Sequence, residues 1–169
     1  MSKSGPSLKI TEIFYSIQGE AQTVGCPTVF VRLTGCPLRC HYCDSEYAFH
    51  GGERLSLDEI VAQVMSYGAR YVCVTGGEPL AQPEARTLLT VLCKKDLSIS
   101  LETSGALSID NIDPRVDVVM DLKTPSSGEV VRNDYDNISL LRAQDQIKFV
   151  IGDRQDYEWS LFKLNEYSL

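Results

Sequence analysis

The sequence predicts an α/β fold in which short parallel strands separated by helices form an open, partial β/α barrel. Three observations carry that expectation. Short runs rich in Val, Ile and Leu recur along the chain, amphipathic helical stretches lie between them, and the chain is 169 residues long. Strands joined by helices pair in parallel through right-handed crossovers. At ~30 residues per β–α–β unit the length holds about five units, whereas a closed eight-unit barrel takes ~250 residues. A doubly wound sheet is the alternative architecture.

The elements follow in order. An extended segment at 9–17 leads into the sheet as one arm of a hairpin. Strands are expected at 28–33, 70–75, 99–103, 116–122 and 146–151, each carrying β-branched or aliphatic residues in a short run. Ser56-Leu-Asp-Glu59 is a capping box, in which the serine hydroxyl accepts an amide of the first turn while the glutamate reaches back. Leu57, Ile60, Val61, Val64 and Met65 then follow at the spacing of one helix face, and Gly68 is placed to end the helix. Pro83 suits a first helical position, with Ala85, Leu88, Leu89, Leu92 and Cys93 as the buried stripe. Helical patterns also cover 138–143 and 157–164. No linker, low-complexity tract or repeat divides the chain, so residues 1–169 read as one domain.

Composition narrows the class. Apolar residues make up 43% and charged residues 23% of the chain, as in ordinary globular proteins. No apolar stretch approaches the ~20 residues of a membrane helix, and Met-Ser-Lys-Ser-Gly-Pro lacks the apolar core of a signal peptide. The expectation is a cytoplasmic protein with no membrane partner. The net charge of −7, from 16 basic and 23 acidic residues, argues against nucleic acid and for a small-molecule partner.

The most specific signal is Cys36-Pro-Leu-Arg-Cys40-His-Tyr-Cys43, directly after the strand at 28–33. Three thiolates can hold three corners of a cubane iron–sulfur cluster and leave its fourth iron open to a ligand. A disulfide framework does not fit six cysteines spread through a chain without a secretory signal. A structural zinc site usually shows two C-x-x-C pairs, or Cys and His at ligand spacing. The second pair is absent here, and only His41 and His50 remain to supply a fourth ligand. Cys26, Cys73 and Cys93 read as turn or core filler, since free cysteine packs as a small hydrophobe.

Working groups in such folds collect at the carboxyl ends of the strands. The triad follows the first parallel strand, Thr75-Gly-Gly-Glu-Pro79 the second, Glu102-Thr-Ser-Gly105 the third, and 121–128 the fourth. Four polar, glycine-bearing segments therefore converge on one rim.

The triad with Tyr42, followed by Thr75-Gly-Gly-Glu-Pro79, resembles the radical S-adenosylmethionine (SAM) superfamily. The resemblance implies a [4Fe–4S] cluster on Cys36, Cys40 and Cys43, whose open iron chelates SAM. An external one-electron reductant then cleaves the sulfonium to a 5′-deoxyadenosyl radical. It places Tyr42 near adenine, and makes Gly76 and Gly77 a backbone approach to the methionine amine, with Glu78 as an acceptor for that ammonium or for ribose.

A narrower resemblance covers most of the chain. Phe14-Tyr-Ser-Ile-Gln-Gly-Glu20, Phe30-Val-Arg-Leu-Thr-Gly-Cys36, Cys43-Asp-Ser45, Thr75-Gly-Gly-Glu-Pro79 and Glu102-Thr-Ser-Gly105 resemble the 7-carboxy-7-deazaguanine synthase family. That family contracts the ring of 6-carboxytetrahydropterin with loss of ammonia, using magnesium. The resemblance implies substrate contacts from Ile17, Gln18, Gly19, Arg32 and Thr75, with Arg32 on the pterin carboxylate. It gives Ser45 to Mg²⁺, and Gly77, Ser104, Asp121, Leu122 and Lys123 to SAM; no residue is assigned as a catalytic acid or base. It leaves a homodimer open as the assembly.

The chain departs from the family pattern at several points. Ala21 replaces the last glycine of Gln-Gly-Glu-Gly, where a left-handed backbone would be strained. Ser45 replaces the commoner threonine, and Asp121-Leu-Lys123 stands where many members have Ser-Pro-Lys. Family members also continue through another strand and a terminal segment, so the expected barrel lacks its last strand and C-terminal segment. Two other readings stay open. One is a glycyl-radical-enzyme activase, which would lack the Gln-Gly-Glu loop; the other is a non-catalytic zinc or interaction module on the same scaffold.

Overall fold

The computed structural model describes residues 5–169. The expectation for the leader falls partly on residues 1–4, outside the described residues. Among the described residues no helix is long and apolar enough to cross a membrane.

Seven strands form one sheet in the order β3-β1-β2-β4-β5-β6-β7. In chain order these are β1 (Ser7–Ile17), β2 (Pro27–Leu33), β3 (Glu53–Ser56), β4 (Tyr71–Gly76), β5 (Ser98–Thr103), β6 (Val116–Asp121) and β7 (Gln146–Lys148). β1 runs antiparallel to β2 and to β3. The remaining neighbours, β2 through β7, are parallel. The hairpin expected at 9–17 is thus the β1–β2 pair, and the strand runs from 28 to 122 lie where expected to within a residue or two.

Alternation along each strand sets the two faces. Val29, Val31, Val72, Val74, Ile99, Leu101, Val118 and Met120 point to one side and enter a single buried cluster. Helices α1 (Leu57–Ser66) and α2 (Ala85–Cys93) close that cluster with Ile60, Val64, Leu88 and Leu92. The alternate positions, Phe30, Arg32, Thr75, Glu102, Val119 and Asp121, line a cavity on the other side. A doubly wound sheet buries both faces under helices. Here α1 and α2 share one face and the other is a cavity wall that mixes charged, polar and aromatic side chains.

Local chemistry explains most boundaries. The capping box of α1 is formed: the Glu59 amide donates to the Ser56 hydroxyl at 3.3 Å, and the Ser56 amide to the Glu59 carboxylate at 2.8 Å. Gly68, at φ +65°, follows the helix end in the left-handed region. α2 begins at Ala85 rather than at Pro83, because the chain first makes a tight turn at Pro79–Ala81 whose Leu80 amide is taken by Glu78 at 3.0 Å. The pattern at 138–143 is instead a 3₁₀ stretch, Tyr135–Leu140. There the Asn137 side chain accepts from Ile109 N–H and donates to the carbonyls of Gly105 and Leu107, which ties it to the loop after β5. β7 stops at Lys148, three residues short of the expected run. α3 (Arg154–Tyr167) extends the pattern at 157–164 in both directions, starting where the Asp153 carboxylate accepts the Asp156 amide at 2.8 Å. β3 has no periodic signal, and its burial pattern is exposed to half-buried throughout.

Candidate functional site

The strand ends and their following loops enclose a cavity of about 480 Å³, within the range of small-molecule sites. The β1 end and its loop bring Ile17, Gln18 and Gly19 to it, and β2 brings Arg32. The cysteine loop contributes Cys36, Cys40, Tyr42, Cys43 and Ser45. Thr75 and Gly77 come from the end of β4, Ser104 from that of β5, and Asp121 and Lys123 from that of β6. Fourteen of the sixteen residues singled out from sequence share this one wall.

Glu78 and Leu122 do not line it. Leu122 is fully buried in the hydrophobic cluster. Glu78 is also fully buried, and its carboxylate is committed inside the protein. It accepts from the Thr103 hydroxyl at 2.9 Å, the Ser104 amide at 2.7 Å, the Ser104 hydroxyl at 2.5 Å and the Leu80 amide at 3.0 Å. Glu78 therefore ties the end of β4 to the end of β5 and sets the position of Ser104.

The paired glycines have a visible steric cause. Gly76 sits at φ +149°, and a Cβ there would lie 2.4 Å from the Leu33 carbonyl oxygen. A Cβ on Gly77 would lie 2.2 Å from the Gly35 carbonyl oxygen and 2.9 Å from Cys36 Cβ. The close approach is thus between the end of β4 and the backbone that leads into the cysteine loop.

Gln18 Nε2 donates to Glu102 Oε1 at 3.1 Å, and the Thr75 hydroxyl donates to Glu102 Oε2 at 2.9 Å. Arg32 Nε donates to Glu12 at 2.8 Å, and the Tyr47 hydroxyl meets the same carboxylate oxygen at 2.8 Å. The guanidinium also lies 5.7 Å from the Phe14 ring centroid and 5.8 Å from that of Tyr47. Only Nε is committed among the described residues. The fork's two terminal nitrogens keep their donors for an anionic ligand.

A chain of charges crosses the β6–β7 side. Lys123 Nζ is 3.0 Å from Asp121 Oδ2, Lys148 Nζ is 3.6 Å from the same oxygen, and Lys148 Nζ is 2.5 Å from Glu20. Burial works to lower the Lys123 ammonium, but the Asp121 and Cys40 charges outweigh it and hold its pKa above the usual value. Asp121 Oδ1 is buried with no donor among the described residues, while Oδ2 carries the two lysines. Burial pushes the Cys36 and Cys40 thiols up, and both stay raised although the Leu38 backbone at Cys36 and the Lys123 charge at Cys40 offset part of it.

The donor set suits an iron–sulfur cluster. All three triad cysteines are free, partly exposed thiols on the same cavity. Among the described residues no three His, Cys, Asp or Glu side chains gather as ligands of one metal ion. A cubane spreads its thiolates over separate irons and does not ask for that gathering.

The loop at 18–26 reaches from the β1–β2 hairpin across to the opposite side of the sheet. Besides Gln18–Glu102 and Glu20–Lys148, the Gln22 amide donates to the Gln146 side chain on β7 at 2.9 Å. Ala21 takes φ +61° at the turn of this loop, the strained conformation expected from its place in the sequence. A left-handed L-residue costs roughly 1–2 kcal/mol, while glycine adds about 0.4–1 kcal/mol of unfolded-state entropy. Ala21→Gly is therefore expected to raise stability by about 0.5–1 kcal/mol, read as a higher urea midpoint with unchanged slope. A lower midpoint would show that the loop carries no such strain.

Four further charged residues line the cavity without having been assigned to it from sequence: Glu20, Asp44, Glu102 and Lys148. Glu102 had a signal, since it opens the polar segment after the third parallel strand. Lys148 had only the alternation of a three-residue strand.

Comparison with known proteins agrees with this geometry. The Radical SAM superfamily model matches residues 30–161. A 7-carboxy-7-deazaguanine synthase from Chlorobaculum tepidum is 44% identical over 163 residues, covering 95% of this chain and 74% of the relative. One from Koribacter versatilis is 44% identical over 155 residues, covering 90% and 69%. The crystal structure of QueE from Escherichia coli superposes with a TM-score of 0.75 at 27% identity, over 95% of this chain and 78% of that one.

Proposed function

The chain belongs to the radical SAM superfamily and, within it, to the 7-carboxy-7-deazaguanine synthase family, and we propose that it converts 6-carboxy-5,6,7,8-tetrahydropterin to 7-carboxy-7-deazaguanine with loss of ammonia. The observation that carries this reading is a single cavity joining three free thiols to an arginine fork and to the Gln18–Glu102–Thr75 network.

In this reading residues 1–169 are one radical SAM domain, and the sheet is the wall of an open, partial barrel. Cys36, Cys40 and Cys43 hold the [4Fe–4S] cluster. The cluster and its SAM supply one-electron chemistry that no amino-acid side chain provides. The protein's own groups bind and orient. Arg32 offers its free guanidinium nitrogens to the pterin carboxylate, while Ile17, Gln18, Gly19 and Thr75 shape the substrate side, fixed through Glu102. Tyr42, Gly77, Ser104, Asp121 and Lys123 face the SAM side. Glu78 and Leu122 act from behind the wall, Glu78 by holding Ser104. Ser45 gives a neutral oxygen to Mg²⁺, a cation that keeps several waters and binds substrate oxygens.

The reading includes an external one-electron donor, a reducing cytoplasmic setting for the thiols, no nucleic-acid or membrane partner, and a homodimer as the assembly to test. Reduced, reconstituted protein incubated with SAM, Mg²⁺ and carboxytetrahydropterin is expected to form the deazapurine, seen by its mass. Cluster-loaded protein that cleaves SAM but leaves the pterin unchanged would reject this substrate.

A further inference from the structure

We infer that the turn at 124–129, after β6, is a clamp that sets the position of the cysteine loop before any cluster binds. The cysteine loop has little regular structure of its own. Between Cys36 and Cys43 the only internal backbone hydrogen bond among the described residues is Cys43 N–H to the Cys40 carbonyl, at 3.1 Å. Arg39 Nη1 also closes on the Cys36 and Leu38 carbonyls at 2.8 and 2.6 Å, which shapes the first half of the loop but does not fix the loop against the sheet.

Three contacts from the turn do so. His41 N–H donates to the Ser127 carbonyl at 3.0 Å. Arg39 N–H donates to the Glu129 carboxylate at 2.5 Å. The His41 imidazole lies against Gly128, where a Cβ would sit 2.7 Å from its Cε1 and 3.0 Å from its Nε2. Gly128 also holds φ +75°, so glycine meets both the backbone and the steric demand there. The contacts fall on the residue before Cys40 and the residue after it, which fixes the middle thiol from both sides.

The turn is itself anchored. The Thr124 hydroxyl donates to the Val150 carbonyl at 2.8 Å, the Ser127 hydroxyl to the Thr124 carbonyl at 2.6 Å, and the Glu129 amide to the Ser127 hydroxyl at 3.0 Å. Ser126 donates from its amide, at 2.9 Å, and from its hydroxyl to Asp156, which is fully buried in the first turn of α3. The rigid frame of β6, β7 and α3 thus reaches the cysteines through 127–129. Glu129 and Gly128 are positioning residues for the cluster ligands, and their role rests on the reading of the triad as that ligand set.

Hydrogen exchange of the apo protein tests the clamp without the cluster. Gly128→Ala and Glu129→Ala are each expected to speed amide exchange across 36–43 by about fivefold or more, the scale of one lost hydrogen bond, with exchange in β4 and β5 unchanged. Glu129→Gln keeps an acceptor oxygen and is expected to restore slow exchange. After loading with iron and sulfide, the two alanine variants are expected to lose iron to a chelator several-fold faster than the wild type and Glu129→Gln. Unchanged exchange over 36–43 in both alanine variants would overturn the clamp, as would failure of Glu129→Gln to rescue. Exchange effects in a protein that takes up no iron would keep the clamp and sink the functional reading instead.

Discussion

Replacing Cys36, Cys40 or Cys43 by alanine is expected to drop bound iron from about four per chain to background, with loss of the visible absorbance and of SAM cleavage. The three thiols lie on one cavity wall and none is paired elsewhere, so no neighbouring cysteine stands ready to replace a lost one. Cys26 lies in the β1–β2 loop, while Cys73 and Cys93 are buried in a strand and a helix. The fold should survive, because the triad thiols sit on a loop outside the hydrophobic cluster. Unchanged far-UV circular dichroism with iron lost is the expected pair of results. Full iron content in any one of the three variants would remove that cysteine from the ligand set.

Glu78→Ala is expected to produce the largest loss of stability among the site variants. The side chain is fully buried and takes donors from Leu80, Thr103 and Ser104. Each buried donor left unsatisfied costs about 1–3 kcal/mol, more where the partner was charged. Allowing for relaxation and entering water, a total of roughly 3–5 kcal/mol follows, a large part of the stability of a typical domain. Glu78→Gln keeps the shape but turns an N–H₂ group toward donors, so it should lose less, about 1–3 kcal/mol. Urea denaturation of the apo protein separates the two variants. Wild-type stability in Glu78→Ala would show that the carboxylate does not tie β4 to β5, and would return it to the ligand side of the wall.

What was legible in the sequence follows from which interactions are local. The strands from 28 to 122 announce themselves because one face of each packs on helices, which demands aliphatic residues at alternate positions. The start of α1 was legible because its cap is made within four residues. β3 was not, since its only reason to be extended is pairing with β1, from residues far away in sequence. Pro83 was read as a helix start from its own φ preference. The competing contact, Glu78 to the Leu80 amide, pulls the preceding residues into a tight turn.

The site divides in the same way. The triad and the glycine pair could be named from their types and spacing, whereas Arg32 was reached only through the family resemblance of the segment that carries it. Glu78 shows the limit: a carboxylate after a glycine pair at a strand end reads as a ligand contact until its hydrogen bonds are seen to be spent inside the protein. Lys148 and Glu20 meet at 2.5 Å across 128 positions of sequence, and no spacing rule links them. The clamp on the cysteine loop was hidden for that reason too. Gly128 and Glu129 look like ordinary turn residues until His41 and Arg39 are found against them.

The central claim is that the triad carries a cluster with an iron open to a ligand. Protein reconstituted without oxygen, then reduced, can be followed by electron paramagnetic resonance before and after SAM is added. The prediction is about four irons with matching sulfide per chain, and a reduced signal whose shape changes when SAM binds. One zinc per chain, or an iron signal indifferent to SAM, would contradict it.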